Sequence, residues 1–297
     1  MPKKKEEEDD DVSSVEIDDE EEPEEDEEKS NDLTNVDIVT KYRTSGDIAN
    51  KALAAVAAAC VPGKLCVELC NIGDDFINEA VGKIYNQKKE GKKLVDKGVA
   101  FPTCVSVNAC VGHYSPLLSE DKVTLAEGDM VKIDLGVHVD GYVAVVAHTV
   151  LVGDGKVDGR KADVIMAAWT AAEVAQRMIK DGAKNNDITA AIAKVADTYK
   201  CTPVEGVLSH QMKRHVIDAN KTIINKQTPE QQVPEATLNK NDVFAIDVVM
   251  STGEGKPKQV LATPLRSSGE SPHAAAAAGC GRLPRRRRAA AAAAALP

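Results

Sequence analysis

Residues 131–150, VKIDLGVHVDGYVAVVAHTV, carry one carboxylate in a strand pattern where a cation-binding pair would need two. Two β-branched, alternating runs flank Asp140-Gly141, a dipeptide that accepts the positive φ angles of a type I′ turn. With Asp140 and Gly141 as the central pair, Val139 faces Tyr142, Gly136 faces Val145 and Asp134 faces Ala147. Asp134 and Val145 then share one face as diagonal neighbours, roughly 7 Å apart at Cα. Carboxylates at both positions could share a pair of divalent cations about 3.5 to 4 Å apart. A valine stands at the second position, so the hairpin alone also fits a plain strand carboxylate, hydrogen-bonded to nearby backbone.

The surrounding elements must hold this hairpin in place. Ser45 to Val61 reads as an alanine-rich helix ended by Pro62-Gly63, and Val67 to about Lys89 as a second amphipathic helix with a lysine-rich end. Strands are predicted at 100–107 and, as the hairpin, at 130–152. After a Gly153–Gly159 loop, Arg160 to Ile179 and Asn186 to Tyr199 read as two more helices, followed by a histidine-bearing strand or loop near 203–217. Val243 to Met250 reads as a core strand, and the glutamine- and proline-containing stretch Lys221 to Asn239 as a polar loop. A mixed α+β region of about 220 residues is large enough to bury one sizeable core.

Five segments occur in a fixed order: GVAFPTCVSVNACVGHYSP, KIDLGVHVDG, GRKADVI, LSHQMKRHVID and AIDVVMSTGEGK. Together they resemble the type 2 methionine aminopeptidases. More closely, they resemble the proliferation-associated, ErbB-receptor-binding family, a non-peptidase branch of the same "pita-bread" metallopeptidase group. The resemblance runs from about Asp37 to Lys258 and implies an α+β fold of two pseudo-repeated halves, incomplete at its C-terminal end. Carried over by position, it puts Asp134 on the first metal aspartate and Val145 on the second, which in the peptidases bridges both ions. His210 falls on the metal histidine, with Lys213 where the peptidases have glycine. Asp247 falls on a metal glutamate, one methylene shorter, and a fifth ligand has no counterpart. His113 matches the substrate-facing histidine.

Hard divalent ions need most of their first shell as oxygen or nitrogen donors in fixed geometry. The resemblance therefore implies no catalytic residue, with His113 a relic, and no resident cofactor. Asp134, His210 and Asp247 could at most hold one divalent ion weakly. On the plainer reading, His113 and His210 are hydrogen-bonded residues lining a disused cleft.

The 297 residues carry a formal charge of −10, very unevenly spread. Residues 1–30 hold 17 acidic side chains against four lysines, a net −13, which leaves +3 for the rest. Such charge density with little to bury marks residues 1–35 as an acidic disordered tail. The sequence offers no secretory signal and no apolar run long enough to span a bilayer. The seven cysteines, at 60, 66, 70, 104, 110, 201 and 280, lack paired CxxC spacing and read as reduced thiols, with no zinc site among them.

Residues 36–258 are expected to form the pita-bread domain. Beyond Gln259 the chain becomes alanine runs and the tetra-arginine Arg285–Arg288, a low-complexity tail resembling nothing in the family. The expectation is that the reading frame or an exon boundary departs there. The resemblance implies one of two function classes. One is a catalytically inactive aminopeptidase homologue that binds the large ribosomal subunit and structured RNA, with protein partners besides. It would be cytoplasmic and nuclear or nucleolar, and would regulate growth and translation. The other is a metal-dependent methionine aminopeptidase.

Overall fold

The computed structural model describes residues 29–87, 94–119 and 122–258. The expectations for the acidic residues 1–28, the altered frame after Gln259 and the arginine run fall outside the described residues. The last residues of the 1–35 segment are placed. There the Ser30 carbonyl accepts from Tyr142 Oη at 2.8 Å and Asn31 Oδ1 from the Arg214 N–H at 3.2 Å.

The first half packs helices α1 (Val36–Ala59) and α2 (Cys66–Val81) on an antiparallel sheet β1 (Lys97–Val107), β2 (Met130–Val139) and β3 (Tyr142–Leu151), with β2 central. Helix α1 starts nine residues earlier than the predicted Ser45. Asn35 caps it, its side-chain oxygen accepting from the Asp37 N–H at 2.9 Å. Helix α2 ends at Val81 with Gly82 as its cap, well before Lys89, and Tyr85 at a left-handed φ of 49° turns the chain away. The hairpin has the predicted register, Val139 opposite Tyr142, Gly136 opposite Val145 and Asp134 opposite Ala147, with Asp140 and Gly141 at φ 56° and 77°. Leu53, Val56, Leu69, Ile77, Val105, Ile133 and Leu135 fill the core between helices and sheet.

The second half repeats the layout. Helices α3 (Gly159–Met178) and α4 (Asn185–Thr198) cover short strands β4 (Thr202–Pro203), β5 (Leu208–Met212), β6 (Thr222–Ile224), β7 (Val243–Ala245) and β8 (Met250–Ser251). The strands pair as β6-β5-β7 and as β4-β8. Its core places Ala167, Ala171 and Ala175 of α3 against Ile188 and Ile192 of α4. Alanine at this spacing lets the helices approach closely. The predicted loop 221–239 contains β6, and the predicted strand 243–250 is split into β7 and β8. Side chains take over from the ladder at the break. Ser209 Oγ accepts from the Asp247 N–H at 2.9 Å, and the Asn225 amide, in the orientation satisfying both groups, donates to Asp247 O and accepts from Val249 N.

The halves meet at the hairpin turn. Arg214 and Lys41 each donate to the Asp140 carboxylate at 2.7 Å, and the His215 N–H donates to Gly141 O at 2.9 Å. Lys41 and Arg214 also lie over the Tyr142 ring, 5.5 and 5.7 Å respectively from its centroid. No helix among the described residues is long and apolar enough to cross a membrane.

Candidate functional site

The site forms where β1, β2 and the loop after β1 converge, and the path of β1 decides what meets there. Pro102 has no N–H for the ladder, and the Thr103 N–H is taken by the Asp74 carboxylate of α2 at 2.9 Å. The β1–β2 register slips twice over this stretch, between Val99 and Phe101 and between Phe101 and Cys104. Continued unbroken from Val99 opposite Val137, the ladder would set Cys104 opposite Lys132. The two slips set it opposite Asp134 instead.

Beyond β1 the loop folds back along its own strand. The Val105 N–H donates to Tyr114 O at 2.8 Å, and the Tyr114 N–H to Ser106 Oγ at 3.3 Å. Asn108 fastens the loop to β2 through its N–H on Met130 O and its side-chain oxygen on the Met130 N–H. His113, on this loop, adopts a left-handed φ of 60°, a conformation that costs energy and recurs at functional sites. One donor atom each of Cys104, His113 and Asp134 lie within 4.8 Å of one another. Among the described residues, no other three His, Cys, Asp or Glu donors come so close.

Asp134 is 3% exposed, and neither of its oxygens has a hydrogen-bond partner. This overturns the plain alternative of a carboxylate bonded to strand backbone. Burial pushes its carboxyl well above the usual carboxylate range, and the negative charge of Asp247 adds to this. Burial likewise raises the Cys104 thiol well above its ordinary value, with the charge of Asp134 next in effect. The thiol makes a weak hydrogen bond to Pro102 O at 3.3 Å.

The second half contributes His210 from β5 and Asp247 from just beyond β7. His210 Nε2 lies 3.5 Å from Asp247 Oδ2, and its Nδ1 is buried with no hydrogen-bond partner. Asp134 senses the charge of Asp247, so both halves turn donors toward one region. Asp134, His210 and Asp247 nevertheless do not draw together as closely as the Cys104 trio does. Lys213 sits past the end of β5, its backbone N–H on Val216 O at 2.9 Å.

Val145 shares the face of Asp134, and its surroundings are apolar: Val143, Met212 and Ala245, with Ala100, Ile217 and Val243 beside them. It lines an open cleft of about 340 Å³ with Tyr42, Trp169, Met212 and Phe244, the Trp169 ring 46% exposed. A two-ion centre needs an oxygen donor between its cations. The residues present do not fit one, since Val145, at the position the resemblance gives to the bridging carboxylate, is a hydrocarbon side chain packed among hydrocarbon neighbours. Sequence reasoning missed Cys104. The available signal was Pro102-Thr103, a pair that interrupts a ladder, but not the number of residues by which it does so.

Two halves of helix-covered sheet with donors facing inward at their junction define a metallopeptidase-type scaffold. The chain belongs to metallopeptidase family M24, whose model matches residues 40–266. It is 53% identical over 230 residues to ERBB-3 binding protein 1 of Arabidopsis thaliana, covering 77% of this chain and 58% of that one. Proliferation-associated protein A of Dictyostelium discoideum is 47% identical, with 77% and 59% covered. The chain thus spans a little under three fifths of the length of these two curated relatives. Methionine aminopeptidase of Thermococcus onnurineus is 31% identical, with 73% and 65% covered. Among solved structures, a thermophilic Arx1 superposes with a TM-score of 0.68 at 30% identity, over 76% of this chain and 66% of its own. Methionine aminopeptidase of Thermotoga maritima superposes with a TM-score of 0.60 at 25% identity, over 74% and 82%. The fold is the pita-bread fold.

Proposed function

We propose that this chain is a non-peptidase M24 protein that uses the aminopeptidase scaffold for binding. On this reading it associates with the large ribosomal subunit and structured RNA, acts in growth and translation, and moves between cytoplasm and nucleolus. The observation that carries the loss of peptidase chemistry is Val145, seated among Met212, Ala245 and Val143 where a bridging carboxylate would be required. Metal-dependent hydrolysis needs cations in fixed geometry to make a nucleophile of water. Hydrocarbon at the bridging position cannot supply that. The cleft beside Val145, where Trp169 is half-exposed among Met212 and Phe244, offers a surface for docking. The assignment to ribosome and RNA rests on the resemblance to the proliferation-associated branch.

Two measurements test the proposal. Hydrolysis of a methionyl peptide with added cobalt or manganese should not exceed that of the His210→Ala variant. Turnover that His210→Ala abolishes restores the aminopeptidase reading, which the retained Asp134 and His210 favour. The full chain should co-sediment with large ribosomal subunits at low salt and be released as salt rises, as phosphate contacts predict. No binding at low salt defeats the binding proposal.

A further inference from the structure

We infer that Cys104, His113 and Asp134 form a mononuclear zinc site, distinct in its donors from a two-ion peptidase centre, with a fourth position left for water. The inference goes beyond the proposed function and does not depend on it. Three observations carry it. The three donors converge within 4.8 Å of one another from two paired strands and one loop. Asp134 is 3% exposed with both oxygens lacking any donor, an arrangement that buried carboxylates tolerate when they are paired, protonated or on a metal. His113 is held at a left-handed φ by a loop tied down on both sides, so its placement is built into the fold.

The donor set selects the ion. Sulfur, imidazole and carboxylate together suit zinc, whereas magnesium, calcium and manganese prefer oxygen shells. Zn–S of about 2.3 Å and Zn–N and Zn–O of about 2.0 to 2.2 Å set tetrahedral donors roughly 3.5 Å apart. The trio must therefore close by up to about 1.3 Å. Cys104 and Asp134 are fixed opposite each other on β1 and β2 and the His113 backbone is tied down, so side-chain torsions of the three ligands make the adjustment. On binding, the ion replaces the thiol proton of Cys104, which passes to solvent, and the thiolate sulfur supplies the bonding electron pair. The bound ion then clips the 108–116 loop to the central strand.

The reduced full-length chain, stripped of metal with a chelator, is titrated with cobalt(II) as a spectroscopic stand-in. One equivalent should bind and give a thiolate-to-cobalt charge-transfer band in the near ultraviolet, which zinc then displaces. Cys104→Ser, nearly isosteric, should remove the band and weaken binding at least tenfold, and His113→Ala should weaken binding similarly, with far-ultraviolet circular dichroism unchanged. Cys110→Ser, altering the exposed thiol of the same loop, should leave the band intact. The inference is overturned if no band forms, if the band survives Cys104→Ser, or if Cys110→Ser removes it. Loss of cobalt binding in His210→Ala but not in Cys104→Ser places the ion elsewhere and overturns it equally.

Discussion

Asp140 occupies a hairpin turn and also ties together the two halves of the molecule. Burial alone would raise its carboxyl, but hydrogen bonds and charge from Lys41 and Arg214 outweigh that and hold it below its ordinary value of 3.8. A carboxylate lowered by folding contributes stability that is present above its unfolded value and lost as pH falls through the folded one. Asp140→Asn keeps a residue at ease with positive φ and removes the charge. The expected loss at pH 7 is about 1 kcal/mol, kept low because Arg214 is 38% exposed and screened. Urea unfolding at several pH values checks this: the difference from wild type should fade toward zero below about pH 4. An equal loss at pH 3 and pH 7 would show that the turn, not the charge, matters.

Helix α2 and strand β1 lock together through a glycine. A Cβ at Gly73 would lie 2.8 Å from Thr103 Cγ2 and closer still to its hydroxyl, and Thr103 is wholly buried. Alanine would gain about 1 kcal/mol in helix propensity, against roughly 1 to 3 kcal/mol for overpacking a rigid contact. Overpacking should prevail, so Gly73→Ala is expected to lower stability by about 1 kcal/mol in denaturant melts. A more stable variant would mean that β1 yields easily here. The same contact marks the limit of what sequence revealed. The hairpin register was legible because Asp140-Gly141 dictates it, and α3 and α4 were placed to within a residue by their apolar spacing. The partner of Cys104 was not legible, because it depends on two slips, one before Phe101 and one at Pro102-Thr103, where the proline lacks an N–H and Asp74 reaches in from another element. The break between β7 and β8 was hidden for a like reason, since Ser209 and Asn225 lie far away in sequence.

At the scale of the molecule, two separate cores, one beneath each helix pair, are joined by few contacts. Chief among these are the Asp140–Arg214 pair, the ring of Tyr142 and the small apolar cluster containing Val145, Met212 and Ala245. Arg214→Ala removes two hydrogen bonds to Asp140 and one cation over Tyr142. Native-state hydrogen exchange is expected to quicken about tenfold or more at β5 amides while β2 amides change little, since loosening a junction lowers the opening energy of the weaker unit first. Uniform acceleration in both halves would instead mean that they open as one. The β1 slips decide which residue stands beside Asp134. A single slip would leave Thr103 there and turn the rest of the strand over. Two restore parity, sliding the strand by about 7 Å at roughly 3.3 Å per residue. Without the slips Asp134 would face Pro102, so the paired offset is what gives the buried carboxylate a sulfur neighbour.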